Sequence, residues 1–135
     1  MNNARLVPHL YFTGECEAAL RFYETCGLGH VRALQRYEGA AAIRAGEAYR
    51  GKVLHAEFEG QGVLLYAGDG PDSEPMKGCA LLLELQDPIC ASTLFEALSA
   101  GGRVTVAFDD KPWGRYGNFT DRFGIQWAML VRAAS

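Results

Sequence analysis

The sequence consists of two halves that repeat one order of structural elements, and this duplication restricts the possible folds more than any other feature. Phe95 follows Phe22 by 73 residues, and Gly124 follows Gly62 by 62 residues, each pair in similar surroundings. The two spacings differ by 11 residues, which matches the extra length of residues 38–52 in the first half. Each half reads as a strand, a helix and three strands, a βαβββ module that cannot bury its own sheet face.

The first half opens with a short alternation of apolar and polar residues, which predicts a strand. Apolar residues then recur at helical spacing from Ala19 through Phe22 and Tyr23 to Cys26, so we expect that face of the helix to be buried. Residues 38–52 are rich in Ala, Gly and charge, and predict a loop with a possible short helical turn. The predicted elements are strands at Val7–Phe12, His30–Tyr37, Val53–Glu59 and Val63–Ala67 and a helix at Glu15–Cys26.

The second half repeats this order with clear signals at the ends of its elements. Asp87-Pro88 reads as a helix N-cap followed by a proline at the first helical position. Gly101-Gly102 predicts the end of that helix, and Asp121–Gly124 predicts a hairpin turn. The predicted strands are Cys79–Leu85, Arg103–Phe108 and Ile125–Val131.

These elements indicate a single domain of the α+β class over residues 1–135. The first module spans residues 5–68 and the second spans residues 79–131. Residues 69–78 between them are rich in Pro, Gly and acidic residues, which is typical of a linker. Because neither module can bury its sheet alone, we expect the two βαβββ modules to curl into one incomplete barrel, with helices outside and a cavity inside.

Residues 111–130 carry the most prominent group of large recognition side chains. A proline and two glycines surround Trp113, Arg115 and Tyr116, and this pattern predicts a binding loop beside the terminal hairpin. Trp and Tyr offer stacking area, and Arg offers a fork for a carboxylate or phosphate. The alternative is that these side chains only close the end of the barrel.

Charge and composition narrow the range of partners. The formal net charge of −3 gives no basic surface for nucleic acid. No apolar run approaches the roughly 20 residues of a membrane helix, and the N-terminal segment does not read as a signal peptide. The four cysteines show neither paired nor zinc-ligand spacing, so we interpret them as reduced core thiols of a cytoplasmic protein, against a redox or metal role.

Three segments carry a family resemblance: VPHLYFTGECEAALRFY near the start, KVLHAEF in the middle and WGRYGNFTDRFGIQW near the end. With the paired modules, they resemble the vicinal oxygen chelate superfamily, and most of all its PhnB-like, glyoxalase/bleomycin-resistance branch, over nearly the whole chain. The resemblance implies a symmetric homodimer. Some members of the branch carry a demethylubiquinone methyltransferase label, but the sequence has no Gly-rich loop after its first strand to suggest a methyl-donor site.

The resemblance also bears on metal binding. Metal enzymes of the superfamily place His, Glu or Gln ligands at inward positions of four strands, and the matching positions here are Val7, Tyr66, Ala80 and Ala128. Only Tyr66 could donate to a divalent cation, and weakly, whereas a metal site needs at least three converging donors. We therefore expect neither a metal ion nor another cofactor.

Side chains alternate along a strand, so residues of the same parity as those four positions should also face the cavity. His9 could be a general base or orient a ligand, or it could be a hydrogen-bonded core histidine. Glu84 could be a buried acid with a shifted pKa, or the end of a strand that reaches solvent. The positions selected by parity are His9, Tyr11, Leu82, Glu84, Gln126 and Leu130.

Two further residues, His55 and Glu57, share a strand face. With His9 they could form a displaced metal site, or they could simply make cross-strand hydrogen bonds. Gln126 could donate to an oxygen of a ligand or satisfy a neighbouring residue of the sheet.

These observations favour a small-molecule-binding protein without a metal, whose ligand has an apolar body and an oxygen-rich or anionic end met by Arg115, His9 and Gln126. One alternative is a metal-independent acid/base enzyme acting on a carbonyl compound through His9 or Glu84. The other is a glyoxalase- or dioxygenase-type metal enzyme with the displaced site. The expected ligand-binding residues are Tyr11, His55, Tyr66, Trp113, Arg115, Tyr116 and Gln126.

Overall fold

The computed structural model describes residues 3–133. The chain divides into two compact units, one that ends at Glu74 and one that begins at Pro75. Each unit holds a four-stranded mixed sheet and follows the order strand, helix, three strands. The predicted α+β class and the tandem βαβββ modules are confirmed, because the two sheets have equivalent strand orders.

The first unit contains a sheet in the order β1-β4-β3-β2, in which β1 runs parallel to β4 and the other neighbours are antiparallel. The parallel register pairs His9 with Tyr66, and the antiparallel register pairs Glu57 with Tyr66. The elements are β1 (His9–Phe12), α1 (Cys16–Thr25), β2 (His30–Arg36), α2 (Gly39–Ala45), a 3₁₀ turn (Glu47–Tyr49), β3 (Val53–Gly60) and β4 (Val63–Asp69).

Helix α1 covers one face of this sheet. Its buried residues are Cys16, Ala19, Leu20 and Tyr23, and the Tyr23 ring meets Phe58 of β3 edge-on with 6.3 Å between ring centroids. The predicted stripe was wrong at Phe22 and Cys26, which are only half-buried. The helix begins one residue later than predicted, and its inner face is centred on Leu20 rather than Phe22.

Residues 38–52 are more regular than the sequence indicated. A seven-residue helix, α2, is followed by the 3₁₀ turn. The Ala-rich run explains the helix, because alanine has the highest helix propensity. Gly46 separates the two pieces with a φ of 107°, a conformation that other residues rarely adopt.

The second unit repeats the topology with the sheet order β5-β8-β7-β6. The predicted N-cap is confirmed, because the Asp87 side chain accepts a hydrogen bond from the Ile89 N–H at 2.9 Å and Pro88 begins the helix. Phe95 and Leu98 are buried on the inner face of the helix. The elements are β5 (Leu81–Glu84), α3 (Pro88–Ser99), β6 (Arg103–Lys111), β7 (Gly114–Thr120) and β8 (Gln126–Arg132).

The predicted binding loop at the start of residues 111–130 was wrong. Strand β6 continues to Lys111 and β7 begins at Gly114, so only a tight turn remains around Trp113. The glycines are required because neighbouring backbone lies close to them in the sheet, and not because the chain forms a loop. A Cβ on Gly114 would lie 2.2 Å from the Val131 carbonyl oxygen, and one on Gly117 would lie 2.8 Å from the Phe108 Cα.

The cysteines fit the predicted core role only in part. All four are free. Cys16 is fully buried, and burial raises the pKa of its thiol to about 12, so the group stays protonated and inert. Cys79 and Cys90 are exposed, so their interpretation as core thiols was wrong.

Among the helices that the structure describes, none is both long and apolar enough to cross a membrane.

Candidate functional site

The first unit carries a group of polar side chains on the sheet face opposite α1, which we call the polar face: His9, Tyr11, His55, Glu57 and Tyr66. Along β1, Leu10 and Phe12 are buried beneath the helix, while His9 and Tyr11 are exposed. The alternation of buried and accessible residues along β3 and β4 places the other three on the same side. The structure therefore brings together five residues that the sequence selected.

Ring contacts connect the members of the polar face. His9 stacks on Tyr11 with ring centroids 4.5 Å apart, and it lies 6.1 Å from the His55 ring. His55 in turn meets Tyr66 edge-on at 5.4 Å. The Tyr66 hydroxyl accepts a hydrogen bond from the Arg5 guanidinium at 3.2 Å. These contacts support one another, so each ring is positioned by its neighbours.

Glu57 is held by two partners and has little capacity left for another ligand. Arg32 donates from Nε to the Glu57 Oε1 at 2.9 Å, and His55 Nε2 lies 3.3 Å from the other carboxylate oxygen. These hydrogen bonds, with Arg32 the larger influence, hold the pKa of Glu57 below its ordinary value. The carboxylate stays charged and anchors His55.

His9 has a perturbed pKa. Burial, and after it the charge of His55, lowers the pKa of His9 from its ordinary value of 6.5, although a backbone hydrogen bond with Leu10 opposes the shift. The imidazole is therefore neutral at pH 7 and can accept a hydrogen bond or a proton. In the folded state His9 binds its proton less tightly than in the unfolded state. Its contribution to stability is therefore fully present above the unfolded pKa and is lost as the pH falls from there through the lower folded pKa.

We predict that an NMR pH titration of the imidazole resonances will give His9 a pKa below 6.5. Replacing His55 by glutamine should raise the pKa of His9, because it removes a neighbouring positive charge but not the burial. Replacing His30, which lies at the far end of the sheet on β2, is the matched control and should leave His9 unchanged. A His9 pKa at or above the ordinary value would contradict the described geometry.

A groove of about 560 Å³ begins at the polar face of the first unit. Its size is within the usual range for small-molecule sites. Tyr11 and Leu54 are 61% and 40% exposed, so large apolar groups are open to an occupant. The lining residues are His9, Tyr11, Tyr37, Leu54, Gly68, Asp69, Gly70, Pro71, Asp72, Ser73 and Glu74.

Sequence reasoning missed most of this groove. Tyr37, Leu54 and residues 70–74 were not selected as site residues, because the last of these were interpreted as a linker. One sequence feature could have revealed the groove: the acidic and Pro/Gly-rich composition that comes directly after a strand of the polar face. A chain that turns sharply at the end of a strand can fold back over that strand instead of leaving it.

Asp69 supports the groove from beneath and is the most buried carboxylate of this unit, at 4% exposure. Its Oδ1 accepts hydrogen bonds from the N–H groups of Gly14 at 2.8 Å and Cys16 at 3.0 Å, and its Oδ2 accepts from the Val53 N–H at 2.9 Å. The Tyr37 hydroxyl donates to the Asp69 backbone oxygen at 2.7 Å. Asp69 thus fixes the start of α1, the start of β3 and the groove wall together.

Glu84 belongs to the second unit and is not the buried acid that one interpretation required. It is 48% exposed at its side chain and accepts two hydrogen bonds from Arg132, at 2.9 and 3.3 Å. The alternative, a strand end that reaches solvent, agrees with the structure.

The remaining predicted residues of the second unit are placed individually. Arg115 lies on the α3 side of its sheet, where it donates to Ser92 at 3.2 Å and Asp110 at 3.2 Å. Gln126 donates to the Met76 backbone oxygen at 3.2 Å, so its amide has a partner within the protein, outside the sheet. Trp113 is 58% exposed in its turn, and Tyr116 pairs with Leu130 within the sheet.

The second unit carries apolar residues at the register positions that correspond to His9 and Tyr66 of the first. The parallel register that pairs His9 with Tyr66 in the first unit pairs Leu82 with Ala128 in the second. Asn118 is paired in register with Ala128, and its Oδ1 is, within residues 3–133, a buried side-chain oxygen without a hydrogen-bond donor. The duplicated positions have therefore diverged, and the candidate site belongs to the first unit.

Within the described residues, the positions that match the superfamily's metal ligands hold poor donors. The four positions that match the superfamily's ligands hold two alanines, a valine and Tyr66, whose hydroxyl is paired with Arg5. Within residues 3–133, no group of three or more His, Cys, Asp or Glu side chains is placed to hold a metal. The displaced site gains no support either, because Glu57 is occupied by Arg32 and His55.

Comparison with known proteins agrees with this architecture. Protein PA1353 of Pseudomonas aeruginosa is 30% identical, with 96% of this chain and 98% of that chain covered and a TM-score of 0.83. The PhnB protein of Bacillus cereus is 20% identical over 95% of this chain and 99% of its own, with a TM-score of 0.79. A glyoxylase/bleomycin resistance protein/dioxygenase domain from Frankia sp. EAN1pec is 15% identical over 98% and 100%, with a TM-score of 0.66.

The last two likenesses concern the fold alone. The family model described as 3-demethylubiquinone-9 3-methyltransferase matches residues 4–130, nearly the whole chain. The chain therefore belongs to the family that this model describes, and its fold resembles those of the PhnB protein and of the glyoxylase/bleomycin resistance protein/dioxygenase domain.

Proposed function

We propose that this protein binds a small molecule in the groove of its first unit and holds it without a metal ion or cofactor. The observation that carries the proposal is the 560 Å³ groove, in which the exposed Tyr11 and Leu54 adjoin the neutral imidazole of His9. Aromatic and aliphatic side chains left open beside a few polar groups are typical of ligand sites. Burial of the ligand is sufficient for sequestration.

Methyl transfer, the activity in the family's description, has little support from the residues of this chain. The turn between β1 and α1 holds one glycine, Gly14, and the N–H groups of Gly14 and Cys16 are taken by Asp69. These two N–H groups at the start of α1 are therefore unavailable to a charged cofactor group.

The rival proposal is metal-independent acid/base catalysis on a carbonyl compound. It is favoured by the lowered pKa of His9, which leaves a neutral base at the edge of the groove. Glu84 is an unsuitable acid, since it is exposed and paired with Arg132. Replacing His9 by glutamine separates the two functions: a binding protein should keep its affinity within about threefold, whereas a catalyst should lose turnover by a factor of about 100 or more.

A thermal-shift screen with aromatic small molecules tests the proposed binding, because a ligand of the folded state must stabilise it. For a compound that raises the melting temperature, we predict that Tyr11→Ala will weaken binding about tenfold, since an exposed ring supplies stacking area. Trp113→Ala is the matched control, because that ring is similarly exposed but lies outside the groove.

Equal losses of affinity in Tyr11→Ala and Trp113→Ala would contradict a site at the groove, and so would unchanged affinity in Tyr11→Ala.

A second thermal-shift measurement tests whether the protein works without a metal ion. Addition of Zn²⁺, Ni²⁺, Mn²⁺ or Fe²⁺ should leave the melting temperature unchanged, and a stabilisation that disappears in His9→Gln would restore the displaced metal site.

We also propose that the protein is a cytoplasmic homodimer. Exposed apolar side chains on the sheet of the second unit, such as Leu82 and Val104, supply surface that a second copy could cover. The four free cysteines support a reducing compartment. Sedimentation that shows only monomers at micromolar concentration would contradict the dimer.

A further inference from the structure

We propose that the ligand of this groove is a cation: an amine or quaternary ammonium compound with an aromatic or aliphatic body. This inference rests on the proposed function and adds the charge of the ligand to it. Three features of the first unit carry it, namely the charges that line the groove, the rings beside them and the hydrogen bonds that occupy Asp69. A cationic ligand replaces the anionic ligand that the sequence predicted.

The charged side chains that line the groove are acidic. Asp72 and Glu74 are exposed, and neither makes an ion pair within the described part of the chain. The described lining contains no lysine or arginine. His9 supplies no compensating charge, because burial lowers its pKa and leaves the ring neutral at pH 7. An anion in this groove would meet the exposed carboxylates of Asp72 and Glu74 and no lysine or arginine of the described lining.

Asp69 also lines the groove but is unlike the other two carboxylates. Both of its carboxylate oxygens accept backbone hydrogen bonds, from Gly14, Cys16 and Val53. Its charge is therefore largely matched by protein dipoles. The carboxylates of Asp72 and Glu74 remain available to an occupant of the groove.

The rings that line the groove favour the same charge. Tyr11 and Tyr37 both border it, and the Tyr37 hydroxyl is fixed by its 2.7 Å hydrogen bond to the Asp69 backbone oxygen. Burial, together with the charge of Asp69, raises the pKa of Tyr37, so its phenol stays neutral. Aromatic rings attract cations through their electron-rich faces, and carboxylates nearby add to this attraction. A cation can thus use both kinds of group at once.

The expected anion-binding residue is occupied elsewhere in its own unit. Arg115 lies over the Phe108 ring, with 5.6 Å from its central carbon to the ring centroid, and donates to Ser92 and Asp110. These contacts hold the guanidinium against α3. Arg115 is therefore not among the residues that line the groove of the first unit.

Three probes of similar size test the charge of the ligand: benzyltrimethylammonium, benzyl alcohol and phenylacetate. Calorimetric titration at pH 7.5 and low salt should rank them as cation, then alcohol, then anion, with a cation-to-anion preference of about tenfold or more. The preference should shrink at 0.5 M salt, because salt screens the carboxylates. The double variant Asp72→Asn, Glu74→Gln should lose most of the preference and keep its affinity for benzyl alcohol.

Glu96→Gln, an exposed carboxylate on α3, is the matched control and should keep the full preference. The inference would be overturned if all three probes bound with similar affinity, or if the double variant kept the preference for the cation. Either result would leave the proposed binding function standing. Binding of none of them would contradict the proposed groove itself, and with it the inference.

Discussion

Replacing Asp69 by alanine should lower the free energy of unfolding by about 3 kcal/mol, one of the two largest effects that we expect in this protein. The carboxylate is 4% exposed and accepts hydrogen bonds from Gly14, Cys16 and Val53. Its removal leaves three N–H groups without their partner, and a buried group without a hydrogen bond costs about 1–3 kcal/mol. Water that enters the space should recover part of this loss.

Urea denaturation followed by circular dichroism measures the effect. Asp69→Asn keeps the volume and one acceptor oxygen, so it should lose about half as much stability as the alanine variant. Asp72→Ala is the matched control, since that carboxylate is exposed, and it should change stability by less than about 0.5 kcal/mol. Similar stabilities for Asp69→Ala and Asp72→Ala would show that the hydrogen bonds around Asp69 are not formed.

The second large effect is expected at Asp121, which organises the turn between β7 and β8. It is 3% exposed, and its Oδ1 accepts hydrogen bonds from the N–H groups of Phe123 at 2.8 Å and Ile125 at 3.0 Å. Its Oδ2 accepts from the Trp127 Nε1 at 2.9 Å. Asp121→Ala should therefore cost about 3 kcal/mol of unfolding free energy, because three donors lose a buried acceptor.

A double-mutant cycle with Trp127→Phe isolates the indole hydrogen bond. Trp127→Phe alone leaves the Asp121 Oδ2 without the indole donor, whereas in the Asp121→Ala background this cost is already absent, so the two effects should not add. Asp109→Ala, an exposed carboxylate on β6, should be nearly neutral and serves as the control. Additive effects of Asp121→Ala and Trp127→Phe would mean that the two side chains do not interact.

The fold could be predicted where each signal is local. The Asp87-Pro88 pair is sufficient to predict the start of α3, and the structure shows the expected cap. Alternation of apolar and polar residues placed most strands within two residues, because period-two burial does not depend on distant contacts. The duplication then set the order of the elements, since both halves had to satisfy one topology.

The errors arose where a residue's role depends on a distant partner. Gly114 and Gly117 were interpreted as loop residues, yet they lie in β7 where neighbouring backbone approaches too closely for a side chain. Asp69 and Asp121 were not singled out, because nothing local shows that several N–H groups converge on their carboxylates. The groove was missed for the same reason, since its wall depends on how residues 70–74 turn after β4.

The candidate site was predictable in part. Parity along β1 selected His9 and Tyr11, whose rings stack on each other and line the groove. Parity could not reveal that Arg32 and His55 occupy Glu57, or that Arg132 pairs with Glu84. The roles of His9, Tyr11 and Glu84 as ligand-binding or catalytic residues remain predictions.

The central claim is that the groove of the first unit binds a small molecule without a metal ion. A chemical-shift map of the ¹⁵N-labelled protein, titrated with benzyltrimethylammonium in the presence of EDTA, tests it most directly. We predict that the largest shifts will fall on the amides of His9, Tyr11, Gly68 and residues 72–74. Shifts confined to residues after Pro75, or shifts that require an added divalent metal, would contradict the claim.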